Sequence, residues 1–122
     1  MYSPQLLDHF QNPRNAGVIE APDSSVEVRN PVCGDILRLT LKVAEGRIAD
    51  IRFQAKGCVP AMACASAMTE LAKGKNLQEA RNIEQKDLMD AVGSLPSAST
   101  HAIHLALDAL RQTLRSLSPH AL

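Results

Sequence analysis

Residues 37–55 read LRLTLKVAEGRIADIRFQA, and the fold class follows from their alternation. Leu37, Leu39, Leu41 and Val43 alternate with Arg38, Thr40 and Lys42 at strict period two. Ala44-Glu45-Gly46-Arg47 then reads as a hairpin turn. Beyond it, Ala49, Ile51, Phe53 and Ala55 alternate with Asp50, Arg52 and Gln54. Such alternation turns one face of a sheet to the core and the other to water. Upstream, Val26 and Val28 alternate with charged neighbours before Pro31 and supply a third strand. The connections are too short for crossovers, so the meander is antiparallel.

Helical signals flank this meander. Ser3-Pro4 reads as an N-cap followed by proline at the first helical position. Leu6, Leu7 and Phe10 form the apolar face of a short helix that Pro13 must end. A turn-rich passage with Asn15, Gly17, Pro22 and Asp23 reads as a surface loop. After the strands, Pro60 opens a helix running to Lys73 and stopped by Gly74. Asn76 with Glu79 is a capping-box-like start for a short helix. Glu84 to Val92 is another, ended by Gly93. The last helix runs from about Ser99 to Leu117, with Ile103, Leu107, Leu110, Leu114 and Leu117 on one face. Strands followed by helices give an α+β fold, a small three-stranded antiparallel sheet with helices packed on one face.

The 122 residues fit one domain, residues 1–122. Apolar residues make up 45% of the chain but aromatics only 2%, so the core is aliphatic. Thirteen basic and thirteen acidic residues balance, which argues against the basic footprint of a nucleic-acid binder. No run approaches the ~18 apolar residues of a membrane span, and the opening Met1-Tyr2-Ser3-Pro4 lacks the pattern of a signal peptide. The expectation is a cytoplasmic protein with no membrane or nucleic-acid partner. Three cysteines, an odd number, point to ligands or reactive thiols rather than to a disulfide framework.

The reactive side chains gather at one end of this layout. Cys33-Gly34-Asp35 sits in the turn opening the second strand, and Cys58 follows Gly57 at the end of the third. Counting back from the hairpin turn sets Asp35 near-opposite Ala55, so Cys33 and Cys58 become neighbours, and the glycines let backbone approach a bound group. Cys58 also stands at a helix N-terminus, which favours the thiolate that binds metals; burial as a small apolar residue is the ordinary alternative for such a cysteine. His101, in the first turn of the last helix, is the natural third contributor. His104, Asp108, Arg111 and Arg115 continue its stripe and read as a solvated helix face, with a metal role for His104 the lesser alternative. Cys64, six residues past Cys58, is about 9 Å further along the axis and on another face. It reads as a core residue among Ala61, Ala63, Ala65 and Ala67.

Over nearly its whole length the chain resembles the NifU/IscU-type iron–sulfur cluster assembly scaffolds. The resemblance rests on Tyr2-Ser3, Asp8-His9-Phe10 and Asn12-Pro13-Arg14-Asn15-Ala16-Gly17, then Asn30-Pro31-Val32-Cys33-Gly34-Asp35 and Gly57-Cys58. It continues through Ala65-Ser66, Thr69-Glu70 and Lys73-Gly74-Lys75. In that family three cysteines, an aspartate and a histidine hold a transient [2Fe–2S] cluster or a zinc ion. The positions carried over are Cys33, Asp35, Cys58 and His101. The third cysteine, which follows the histidine and is implicated in accepting persulfide sulfur, is replaced by Ala102. Of the Leu-Pro-Pro-Val-Lys motif shown to a specialised chaperone, Leu95-Pro96-Ser97-Ala98-Ser99 keeps only two residues, which puts chaperone recognition in doubt.

The resemblance implies a non-enzymatic scaffold or carrier, served by a cysteine desulfurase and delivering clusters to apo iron–sulfur proteins. Two thiolates, one carboxylate and one imidazole supply four donors, enough for a [2Fe–2S] core or for tetrahedral zinc. Loss of one thiolate weakens both, and cluster building more than zinc binding. Two other functions fit the same residues. One is a degenerate paralogue that binds zinc or no metal and acts by docking to assembly partners. The other is a thiol sulfurtransferase using Cys58 as nucleophile, with Asp35 and His101 as orienting and basic groups.

Overall fold

Glu45 and Gly46 both adopt positive φ, 54° and 72°. That pair of angles marks the two-residue turn whose twist suits an antiparallel hairpin. The computed structural model describes residues 2–31 and 34–117. The hairpin joins β2 (Ile36–Ala44) to β3 (Arg47–Lys56), and β1 (Ser24–Arg29) pairs with the other side of β2. The sheet order is β1-β2-β3, antiparallel throughout. Ala16 bridges to Phe53, so the loop after the first helix covers the free edge of β3.

The α+β architecture expected from the alternation is therefore present, but the register carries an extra step. The turn pairs Ala44 with Arg47, and Val43 pairs with Ile48. Lys42 then pairs with Asp50, leaving Ala49 as a bulge. Ile48 and Ile51 are buried while Ala49 is exposed, so the alternation read as starting at Ala49 holds only from Ile51 onward. A bulge inserts one residue into one strand and re-aims the side chains beyond it. The bulge shifts the pairing by one residue, so that Leu37 faces Ala55 where an unbulged ladder from the same turn would set it opposite Gln54. Continuing the ladder past Ile36↔Lys56 brings Asp35 level with Gly57.

The helices are α1 (Pro4–Gln11), α2 (Val59–Ala72), α3 (Leu77–Arg81), α4 (Gln85–Val92) and α5 (His101–Arg115), with a 3-10 turn at Ser97–Ser99. Their starts follow the sequence signals. The Ser3 hydroxyl accepts from Leu6 N–H, Pro60 stands in the first turn of α2, and Asn76 with Glu79 forms a reciprocal capping box. The helices pack on one face of the sheet, α5 against β1 and β2 and α2 against β3. Leu37, Leu39, Leu41, Ile51 and Phe53 meet them from the sheet, and Ile103, Leu107, Leu110 and Leu114 from α5. α2 is enclosed nearly all round: Ala61, Ala63, Cys64, Ala65, Ala67 and Met68 are buried. Small side chains let its backbone approach the sheet, α1, α4 and α5 together. Among the described residues no helix is long and apolar enough to cross a membrane.

The apolar face expected of α1 differs in one residue. Leu6 is buried, but Leu7 is 37% exposed, and His9 takes the inward place beside it. His9 Nδ1 lies 2.9 Å from Ser66 Oγ on α2, and the same hydroxyl accepts from Arg14 N–H. The Thr69 hydroxyl lies 2.7 Å from Ser66 O and 3.2 Å from Arg14 O. The Arg14 guanidinium pairs with Asp8 at 2.6 Å and Glu70 at 3.6 Å. This network satisfies the polar groups that dock α1 on α2, and it accounts for several of the family-like residues far from the cysteines.

Two stability effects are expected. Leu39 is wholly buried, so Leu39→Ala should cost about 2–5 kcal/mol in urea unfolding, whereas Leu7→Ala should stay within about 0.5 kcal/mol. Burial also holds the His9 imidazole below its ordinary value of 6.5. The unfolded chain then takes up a proton that the folded chain refuses, and stability falls as pH drops through about 6.5. Thermal unfolding between about pH 7.5 and pH 5.5 should show a smaller acid loss in His9→Gln than in the wild type. An equal loss would assign the acid sensitivity to other groups.

Candidate metal centre

Asp35 ends up level with Gly57 at the mouth of the sheet, and the two are in close approach. Gly57 has φ +154°, and a Cβ there would lie 2.1 Å from Asp35 Oδ1. Only glycine accommodates both the angle and the carboxylate. The chain then passes straight into α2 with Cys58 as its N-cap, whose amide donates to Asp35 Oδ1 at 3.2 Å. Asp35 is only 2% exposed. A buried carboxylate is tolerated where hydrogen bonds or a cation compensate the loss of water.

His101 enters from the first residue of α5. Its Nδ1 lies 3.2 Å from Ala98 O in the 3-10 turn. A carbonyl can only accept, so Nδ1 donates to it, and the ring turns Nε2 toward the other two side chains. That Nε2 is 3.3 Å from Asp35 Oδ2 and 3.8 Å from Cys58 Sγ. Cys58 Sγ is in turn 3.8 Å from Asp35 Oδ2. The three donor atoms all lie within 4.8 Å of one another. No described Lys or Arg forms an ion pair with Asp35.

Oxygen, nitrogen and sulfur atoms converge here with no lysine or arginine paired to them among the described residues, so a proton on His101 or a metal cation would neutralise the carboxylate. Tetrahedral ligands at roughly 2.0–2.3 Å from an ion stand about 3.3–3.8 Å apart. The observed edges of 3.3, 3.8 and 3.8 Å match this within a few tenths of an ångström. The donor set therefore fits a single divalent ion without rearrangement. The Ala98 carbonyl is the outer partner that orients a ligating imidazole.

The thiol of Cys58 is pushed above its ordinary range, first by burial, with the nearby Asp35 carboxylate adding to it and the Ala61 amide at the helix start opposing it. The helix N-terminus therefore does not prevail over burial and the carboxylate, contrary to the expectation from sequence. Cys64 is wholly buried, and burial raises its thiol to about 12, in keeping with the core role read from its spacing.

The NifU-like N terminal domain family model matches residues 1–119. The chain belongs to the NifU-like N-terminal domain family. It is 48% identical over 114 residues to iron-sulfur cluster assembly scaffold protein IscU 1 of Archaeoglobus fulgidus, covering 93% of this chain and 74% of that protein. It is 40% identical over 117 residues to the Escherichia coli K12 IscU, covering 93% and 91%. The fold also superposes on the N-terminal NifU-like protein of Brucella abortus with a TM-score of 0.75 at 21% identity, covering 94% of this chain and 92% of that one.

Of the four candidate ligands, the structure brings together Asp35, Cys58 and His101. Cys33 lies outside the described residues. Ala102 is fully buried in α5 and offers no donor. His104 is exposed one turn along α5 and is not grouped with the described donors. It lines, with His101, a groove of about 470 Å3 beside the centre. Two contributors escaped the sequence reading. The Ala98 carbonyl has no side-chain signature, and the Gly57–Asp35 contact depends on the bulge.

Gly57→Ala is expected to drive Asp35 out of its place and weaken zinc binding roughly 10–100-fold, as loss of an outer support typically does. Competition with a chromophoric chelator measures it, with circular dichroism as the check on folding. Unchanged affinity in a folded variant would remove Asp35 from the ligand set.

Proposed function

We propose that this chain is an iron–sulfur cluster assembly scaffold whose cargo is held by Cys33, Asp35, Cys58 and His101 and then released to apo-proteins. The convergence of Asp35, Cys58 and His101 within 4.8 Å carries this reading. Relatives at 40–48% identity bear the name of cluster assembly scaffold, which agrees with it. The cargo is iron and sulfide assembled as a [2Fe–2S] core, with sulfur supplied by a cysteine desulfurase. Thiolates grip such a core firmly, whereas a carboxylate is a harder and weaker partner for it. Asp35 is thus the ligand suited to letting go. Its oxygen is also anchored on the Cys58 amide, so it can be drawn back after release.

A second reading is favoured by the size of the donor triangle. Edges of 3.3–3.8 Å suit one tetrahedral ion, and with Ala102 in place of a thiol the chain would hold zinc and act by docking to assembly partners. Cluster loading would then require the donors to spread over two irons. The raised Cys58 thiol gives no support to a resting nucleophile, so sulfurtransferase turnover draws nothing from this geometry.

Anaerobic reconstitution with ferrous iron and sulfide, followed by assay of iron, sulfide and zinc per chain, separates these readings. Charge-transfer absorption with near-equal iron and sulfide is the expected outcome; a colourless zinc-loaded product would favour the docking paralogue. In the reconstituted protein, Asp35→Ala should lengthen the cluster lifetime and slow transfer to an apo-ferredoxin. Faster decay would show that the carboxylate is needed to retain the cargo.

A further inference from the structure

We propose that the hollow between the end of α3 and the last turns of α5 docks an acidic, extended segment of a partner protein. Arg81, Arg111 and Arg115 line this cavity of about 270 Å3, and all three side chains are exposed. No described carboxylate pairs with any of them. Other arginines of the chain are matched: Arg14 with Asp8 at 2.6 Å, Arg29 with Glu27 at 2.8 Å and Arg52 with Asp50 at 3.1 Å. On a chain whose 13 acidic and 13 basic residues balance, three guanidiniums facing one hollow concentrate positive potential there. Arg111 is partly held in place by its 3.4 Å bond to Ile83 O. Guanidinium forks match carboxylates two bonds at a time, and an incoming acid relieves the repulsion among them.

The size and lining select the kind of partner. The hollow is smaller than the ~300–1,000 Å3 of ordinary small-molecule sites, and the described residues that line it are the three arginines. A free anion would keep most of its water there, so the acid must belong to something that gains contact elsewhere. That contact is next door. Arg111 also lines the 470 Å3 groove, whose lining is mixed: Pro31, Leu105 and Leu107 supply apolar surface, and Asp108, His104 and His101 supply polar surface. The span from Arg115 to His101 along α5 is about 21 Å at 1.5 Å per residue. An extended segment of about six or seven residues covers it. Its acidic end rests on Arg81 and Arg115, its apolar residue fills the groove, and its leading end stops beside the candidate metal centre.

Docking needs no cargo, so the metal-free protein tests it independently of the scaffold reading. The probes are fluorescein-labelled seven-residue peptides with three Glu at one end and two Leu at the other, made in both sequence orders and followed by fluorescence anisotropy. One order should bind the wild type, weaken steeply between low and high salt, and lose several-fold when its Leu residues become Ser. The double variant Arg81→Ser/Arg115→Ser should bind at least tenfold more weakly while keeping its melting temperature and zinc stoichiometry, since neither side chain touches the centre. Equal binding by that variant, or no binding of either peptide to the wild type, would overturn the proposal. Inorganic pyrophosphate binding the arginines more tightly than the peptide would also overturn it, making the hollow a small-anion site.

Discussion

A carboxylate held almost out of water at the mouth of an aliphatic sheet is the constraint on which the rest of the centre depends. Asp35 is 2% exposed, and its neighbours are an amide, an imidazole and a thiol rather than a lysine or arginine. Left alone, such a group would be expensive. Every adjacent element answers that cost. Gly57 gives up a side chain to make room, Cys58 supplies a donor from its backbone and a sulfur from its side chain, and the 3-10 turn aims His101 inward. A bound ion would complete the compensation and couple binding to the integrity of this corner.

The donors differ in hardness and in the support beneath them. Cys58 and His101 stand at the starts of the two longest helices, α2 and α5, which pack into the core and leave their backbones little freedom. Asp35 stands in the link between β1 and β2, just ahead of the first β2 residue and outside any regular element. Nitrogen and sulfur on fixed helix starts therefore face an oxygen on a connecting segment, a division of labour consistent with retention by two ligands and release through a third.

Much of the fold could be read directly from the sequence. Alternation in Leu37–Val43 located β2, Ser3-Pro4 and Asn76-Glu79 located helix starts, and the Leu stripe of α5 located its buried face. These signals are local, and local propensities and tertiary packing agree there. The failures are equally physical. Ala49 fits the alternation with Asp50 and Arg52, so it reads as an inward strand residue rather than as the bulge. His9 looks polar, yet it replaces Leu7 inside because Ser66, 57 residues away in sequence, satisfies its ring. For the site, spacing placed Cys33 and Cys58 as neighbours with His101 as a third contributor, and the family resemblance added Asp35, but the orientation of His101 depends on a backbone carbonyl that no residue type announces. The rise of the Cys58 thiol depends on depth of burial, which sequence does not state.

The ladder beyond the bulge at Ala49 also limits how this hairpin could vary in length. Paired side chains alternate faces, so a single deletion between Asp50 and Lys56 would turn Ile51 and Phe53 outward or slide Gly57 away from Asp35, whereas loss of the unpaired Ala49 leaves the pairing as it is. Insertions in the link between α4 and the 3-10 turn carry no such penalty, because that link makes no described backbone bridge to the sheet. The paired part of the hairpin thus behaves as a ruler of fixed length between core and centre, and length variation among proteins built on this plan should collect in the loops and spare the stretch from Asp50 to Gly57.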